Sequence, residues 1–300
     1  VGRPNVGKST LFNALTRTAA AQAAKMGAHL QAAAHLATGL KHVAAASSEQ
    51  AAQLYEDWAY EAALSTQIDD SIIAARQKAV GLWRQLGRLD KVGLNLRGLS
   101  RLHWYRGESQ KTKEYIDQAA NELEALPPGP ELAMTYSARS QSHMLNDRME
   151  EAIHWGKRAI SLAEELGETE TRVHALNNVG SALMFSGQSG GEAYLEESLA
   201  LALEHGFHEQ AARAYTNYAE ACVLFKQFER AERLLSEGIA FDTAHDLDAW
   251  THYLVGRQAL LRMEQGRLRE AETIADGVMG LERQTLLMKL PALTVLGAVE

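Results

Sequence analysis

The most specific chemical motif in the chain lies at its start. Gly2-Arg3-Pro4-Asn5-Val6-Gly7-Lys8-Ser9 is a complete G-x-x-x-x-G-K-S phosphate loop. In a working loop of this kind, backbone N–H groups and the N-terminus of the next helix cradle phosphates, the lysine reaches the β and γ phosphates, and the serine ligates Mg²⁺. The motif therefore names GTP or ATP with Mg²⁺ as ligands and Gly2, Asn5, Gly7, Lys8 and Ser9 as their holders. Such a loop hangs between a buried β-strand and a helix, whereas here only Val1 precedes it. The expectation is a stub over residues 1–18 that caps the first helix, with nucleotide binding as the alternative. Other catalytic constellations are absent: there is no G-x-S-x-G elbow, and paired acids such as Glu150-Glu151 and Glu196-Glu197 stand where helices begin, where acids favour the helix dipole. His205 and His208 bracket a turn with no cysteine partner nearby in the sequence. His103 and His143 recur in equivalent positions, with Leu183 next in the series, which marks a packed site and no metal ligand. No catalytic and no metal-binding residue is predicted.

The elements that position everything else come from a repeat. Residues 131–167 read as two amphipathic helices joined at Asn146-Asp147, the second carrying Ala152, Ile153, Ala159, Ile160 and Leu162 at helical spacing. A shift of about forty residues brings back Gly39, Ala79, Ala119, Ala159 and Leu199, then Gly238 and Val278 after a one-residue slip. Ala32, Ile72, Thr112, Ala152, Glu192, Ala231 and Ala271 keep the same period, with Glu192 the odd member. Neither helix of such a pair buries its apolar face alone, but stacked pairs do. The predicted fold is all-α: an α-solenoid of antiparallel helix pairs wound as a right-handed superhelix. About seven pairs and a truncated eighth, opened by Pro291, would fill residues 19–300. The proline cluster at residues 127–130 reads as a rigid turn inside one array.

Composition agrees. Five prolines and abundant Ala and Leu suit helices, and a net charge of −8 with a pI near 5.8 disfavours a general nucleic-acid binder. The lone Cys222 excludes an internal disulfide framework and fits a cytoplasmic setting. No apolar run is long enough to span a membrane.

In stacked helix pairs the first helices line the concave wall, where such arrays bind. The period places Arg97, Arg101, Ser137, Gln141, Asn177, Ser181, Thr216 and Glu220 at equivalent groove positions, while Asn178 and Asn217 share another. Amides and guanidinium groups there could fix an anionic group by paired hydrogen bonds. The plainer reading is that the asparagines bond to neighbouring helices and the arginines are solvated. Arg97, Arg101, Gln141, Asn177, Asn178 and Asn217 are the predicted binding residues, for a protein, peptide or small effector. Trp104, Met144 and Met184 recur at one first-helix position and suggest either an apolar strip or inter-repeat packing.

Two resemblances extend these readings. The stretch VGRPNVGKSTLFNALTRT, residues 1–18, resembles the first nucleotide motif of EngA-type (Der) GTPases. That family's guanine-reading N-K-x-D has no counterpart here, and the single D-x-x-G, Asp90-Lys91-Val92-Gly93, falls at the start of a repeat helix. Residues 99–107, 132–146, 174–187 and 206–220 resemble the tetratricopeptide-type array of large ATP-dependent LuxR-type (MalT-like) bacterial regulators. The resemblance implies a non-catalytic sensor module that would transmit binding to an ATPase. The chain departs from the 34-residue tetratricopeptide consensus in its longer period and in lacking the terminal proline.

Overall fold

The computed structural model describes residues 6–65, 69–281 and 286–299, with side chains from residue 16 onward except Ser65. Among these residues there is no strand. The helices are α1 (Val6–Lys25), α2 (His29–Leu40), α3 (Ser48–Ser65), α4 (Asp70–Gln85), α5 (Leu89–Tyr105), α6 (Ser109–Glu124), α7 (Pro130–Met144), α8 (Met149–Leu166), α9 (Thr169–Phe185), α10 (Gly191–His205), α11 (His208–Leu224), α12 (Phe228–Ala244), α13 (Asp248–Glu264), α14 (Leu268–Met279) and α15 (Leu286–Val299), with a short 3₁₀ turn at Val43–Ala45. The first fourteen pair as seven antiparallel hairpins, and α15 packs on α13 and α14. The chain divides into two compact units, Val1–Leu123 and Glu124–Glu300. The division falls just before the proline cluster, which the sequence reading took as a turn inside one array.

Local chemistry sets the breaks between helices. Gly87 and Gly167 close α4 and α8 with φ of 71°, a left-handed conformation that costs glycine nothing. Asp147, Lys226 and Asp246 adopt the same region at φ 57°, 58° and 54°. Asp69 caps α4, its carboxylate accepting from the N–H of Ser71 at 2.9 Å and of Ile72 at 3.2 Å. Its neighbour Asp70 accepts from Arg106 at 2.6 Å.

Repeat positions read as core are core. Ala32, Ala79, Ala119, Ala152, Ala159, Ala231 and Ala271 are fully buried, and Ile72 and Val278 almost so. The fifth second helix is the exception, with its register displaced by one residue: Gly191 and Ser198 occupy the buried positions assigned to Glu192 and Leu199. The reason is backbone proximity. A Cβ at Gly191 would lie 2.7 Å from the Gly180 carbonyl oxygen, and one at Gly180 would lie 2.9 Å from that of Gly191, so α9 and α10 cross where neither carries a side chain. Glu192 turns outward to pair with Arg230 at 2.9 Å.

Two further expectations shift. Helix α1 runs unbroken through the boundary drawn at residue 18. Pro291 does not open the last helix but lies inside α15, where it is buried. Gly256 of α13 makes the room: a Cβ there would meet the Pro291 ring at 3.1 Å.

Candidate binding site on the first helices

Within Glu124–Glu300 the first helices α7, α9, α11 and α13 lie side by side. On α9, His174, Asn177, Asn178 and Ser181 fall at i, i+3, i+4 and i+7, so they form one stripe. Every residue from 173 to 182 is buried, because α7, α8, α10 and α11 surround this helix. The stripe bonds outward in both directions. Toward α7, Asn178 Nδ2 donates to the Ser137 carbonyl at 2.9 Å and to its hydroxyl at 3.2 Å, and Ser137 Oγ shares a 2.6 Å hydrogen bond with His174 Nδ1. Toward α11, Asn217 Nδ2 donates to Asn177 Oδ1 at 2.6 Å.

The same spacing recurs on α11 as Arg213, Thr216, Asn217 and Glu220. Arg213 is buried, hydrogen-bonds Glu209 at 3.2 Å and lies over the Trp250 ring of α13 at 5.6 Å. Glu220 pairs with Arg257 of α13 at 2.5 Å, and Arg257 also covers the Tyr253 ring. Thr216 turns back to the Ala212 carbonyl at 2.9 Å. A polar ladder thus links four first helices through their facing stripes.

Four polar atoms on α7 and α9 are buried without a hydrogen-bond partner among the described residues: Thr135 Oγ1, Asn177 Nδ2, Asn178 Oδ1 and Ser181 Oγ. Buried polar atoms without partners are uncommon and each carries a desolvation cost. Asn217 and Glu220 are the partly exposed members of the stripe on α11.

The six predicted residues therefore separate. Asn177 and Asn217 belong to the ladder and to its open edge. Asn178 is wholly interior and closes the α7–α9 contact, so its role is to hold two helices together; repeat alignment could not distinguish the two faces of one helix. Gln141 is half-buried on α7. Arg97 and Arg101 lie in the other unit, on α5, where Arg101 donates to the Tyr105 hydroxyl at 2.9 Å and covers that ring at 5.4 Å.

Residues 1–123 contain a polar centre that the sequence reading missed. Glu56 is 6% exposed, and its carboxylate accepts from Asn95 Nδ2 at 2.7 Å, Trp83 Nε1 at 2.9 Å, Lys91 Nζ at 3.0 Å and Gln53 Nε2 at 3.1 Å. Arg76, also buried, donates to Asn95 Oδ1 at 3.2 Å. Burial pulls its guanidinium down to about 10, against the opposing attraction of Glu56. Gly98 leaves space for it, since a Cβ there would sit 3.1 Å from the guanidinium carbon. The only sequence signal was the pairing of Glu56 with Asn95, 39 residues apart and so close to one repeat.

The remaining chemical candidates are accounted for locally. His103 pairs with Glu108 at 2.8 Å and stacks on Tyr115, as expected of a packed histidine. Asp90 is held by Arg88 at 2.7 and 2.9 Å, and Gly93 abuts Leu123, so the D-x-x-G tetrapeptide serves the N-terminus of α5. Met144 and Met184 are buried in helix–helix cores, which favours inter-repeat packing over an open strip. Cys222 is buried, and desolvation pushes its thiol up to about 11. Gly2 and Asn5 lie outside the described residues; Gly7, Lys8 and Ser9 sit in α1, their side chains outside what is described. Among the described residues no cluster of three or more metal-ligating side chains occurs and no helix is long and apolar enough to cross a membrane. A cleft of about 540 Å³ opens between α8, α9 and α10, but its main cation, Arg172, is held by Glu164 and Glu197.

The fold is an α-solenoid of antiparallel, tetratricopeptide-like helix pairs. Its solved relatives carry the same architecture. The Rap conjugation gene regulator of plasmid pLS20, solved with the Phr* peptide, matches over 95% of this chain and 73% of its own at TM-score 0.69 and 12% identity. A Rap protein complexed with competence and sporulation factor matches over 88% and 80% at TM-score 0.60 and 13% identity. A signal transduction ATPase with numerous domains and a tetratricopeptide repeat sensor, from Pyrococcus horikoshii, matches over 93% of this chain and 49% of its own, at TM-score 0.50 and 14% identity. The family model described as 50S ribosome-binding GTPase matches residues 1–39, reaching past the motif into α2. Among curated proteins none is similar enough in sequence to match.

Proposed function

We propose that the chain is a non-catalytic helical-repeat module that binds a protein or peptide, or a small effector, along the polar stripe of its first helices. In this reading it is a cytoplasmic sensor, the regulatory part of an ATP-dependent regulator of LuxR type. The observation that carries the binding reading is the ladder on α9 and α11, where buried hydrogen-bonding atoms of Asn177 and Ser181 lack partners beside the partly exposed Asn217 and Glu220. A ligand's own donors and acceptors would satisfy them, and Asn217 and Glu220 mark the approach. A solved relative described with a bound peptide, another described as complexed with competence and sporulation factor, and one described as a signal transduction ATPase with a repeat sensor support the same direction.

The test begins with peptides selected from a random display library against the whole chain. Ser181→Ala deletes a hydroxyl that bonds to nothing described, so helicity and melting temperature should hold while affinity falls about tenfold, the worth of one well-made hydrogen bond in a buried site. Asn217→Ala should weaken binding similarly. Lys157→Ala, in the cleft beside α8, should leave it unchanged. Binding lost through Lys157 and not through Ser181 or Asn217 would move the site to the cleft.

A second reading has its own support in the GTPase-family match over residues 1–39 and the intact phosphate loop. Here Gly2, Asn5, Gly7, Lys8 and Ser9 bind GTP or ATP with Mg²⁺, and the repeats act as effector arm. Titrating a fluorescent nucleotide with Mg²⁺ should then give saturable binding that Lys8→Ala abolishes; a signal indifferent to Lys8 removes this reading.

A further inference from the structure

Asp242 occupies a place where the other repeats put apolar side chains. Counting back along the second helices, its equivalents are Ala202, Ala163, Leu123 and Trp83, each 3% exposed or less. Asp242 is 0% exposed, and neither carboxyl oxygen has a hydrogen-bond partner among the described residues. It lies in the last turn of α12, where the helix dipole is negative and disfavours an anion. Its own carbonyl accepts from Leu247 at 3.0 Å and His245 at 3.2 Å, so the residue also closes the turn into α13.

The surroundings are aromatic. The ring centroids of Phe241 and His245 lie 4.3 Å apart, and that of His208 of α11 lies 4.1 Å from His245 with the rings tilted by 40°. Ala212 of α11, Leu247 and Trp250 of α13 form the adjoining core. The ionisable groups on the elements that meet at this turn are His208, Glu209, Arg213 and Tyr215 on α11, Glu237 on α12, His245 and Asp246 in the turn, and Asp248 and His252 on α13. None of them sets the state of Asp242. Burial alone pushes its carboxyl up to about 8.

We infer that Asp242 is a pH-sensitive latch: as a neutral acid it fits the apolar slot and keeps the α12–α13 turn closed, and release of its proton requires that turn to open. The consequence follows from linkage. A carboxyl whose value is raised by folding favours the closed state below the ordinary carboxylate range, and that advantage is lost as pH rises toward about 8. Between those limits the opening equilibrium should grow about tenfold for each pH unit.

Amide hydrogen exchange of the full chain at pH 5, 6 and 7, corrected for intrinsic rates, tests this. In the native protein, local opening of residues 241–250 should rise about a hundredfold from pH 5 to pH 7. Asp242→Asn keeps the shape without the proton and should flatten that rise; whatever slope remains belongs to His208 and His245. Asp242→Ala, with the residue found at 163 and 202, serves the same purpose if the asparagine variant folds poorly. Identical pH slopes in the native chain and in the folded variant would overturn the latch.

Discussion

Glu56→Ala is expected to lower the unfolding free energy by about 3–5 kcal/mol, the range for removing one partner of a buried charge pair. The carboxylate takes hydrogen bonds from Gln53, Trp83, Lys91 and Asn95, and it is the main favourable charge acting on the buried Arg76. Removing it leaves the buried Trp83 indole N–H without its acceptor, the Asn95 amide with only the Lys91 carbonyl, and the Arg76 guanidinium without its main compensating charge. Glu56→Gln keeps an acceptor but loses the charge, so about half that penalty is expected, by the ordinary worth of hydrogen bonds to charged groups. Urea unfolding followed by circular dichroism measures both. Loss of less than about 1 kcal/mol in the alanine variant would mean that the cluster relaxes outward and is held by water.

Gly180→Val is the second large effect, expected to cost about 1–3 kcal/mol or more through overpacking. A Cβ at 180 would stand 2.9 Å from the Gly191 carbonyl oxygen, from Leu195 Cγ and from Tyr194 Cβ. A flexible side chain could yield, but a backbone carbonyl moves only if α10 moves with it. Because α9 also carries Asn177 and Ser181, the displacement should weaken ligand binding along with stability. Gly81→Ala is the matching control: nothing lies within 4 Å of its Cβ position, and alanine in a helix interior should stabilise by about 0.5–1 kcal/mol. The two glycines are indistinguishable by sequence, and opposite signs in the same denaturation experiment would separate packing from helix propensity.

Much of the architecture was legible beforehand, for a reason visible in particular residues. Ala79, Ala119 and Ala159 recur at one interval because each repeat solves the same packing problem with the same small side chain at the crossing point. Helix limits depend instead on a few local bonds, such as those from Ser71 and Ile72 to the Asp69 carboxylate that start α4, which periodicity does not weigh. The register slip at Gly191 escaped the same reasoning because periodicity weighs side chains, and the decisive contact there is made by two residues that have none.

The candidate binding residues were harder to read. Asn177 and Asn178 are neighbours in sequence with the same functional group, yet one points its carbonyl to Asn217 on α11 and the other its amide to Ser137 on α7. A helix turns by about 100° per residue, so adjacent side chains serve different neighbours, and only the placement of those neighbours says which. The sequence by itself determined that this chain is a run of amphipathic helix pairs, since apolar residues at a fixed interval can be buried in no other way. Tertiary structure alone decided that Glu56 gathers its donors from α3, α4 and α5, that the α9 stripe is enclosed, and that Asp242 falls into an apolar slot. Each of those facts depends on residues some forty positions apart meeting across helices, and the identity of a side chain carries no record of who stands opposite it.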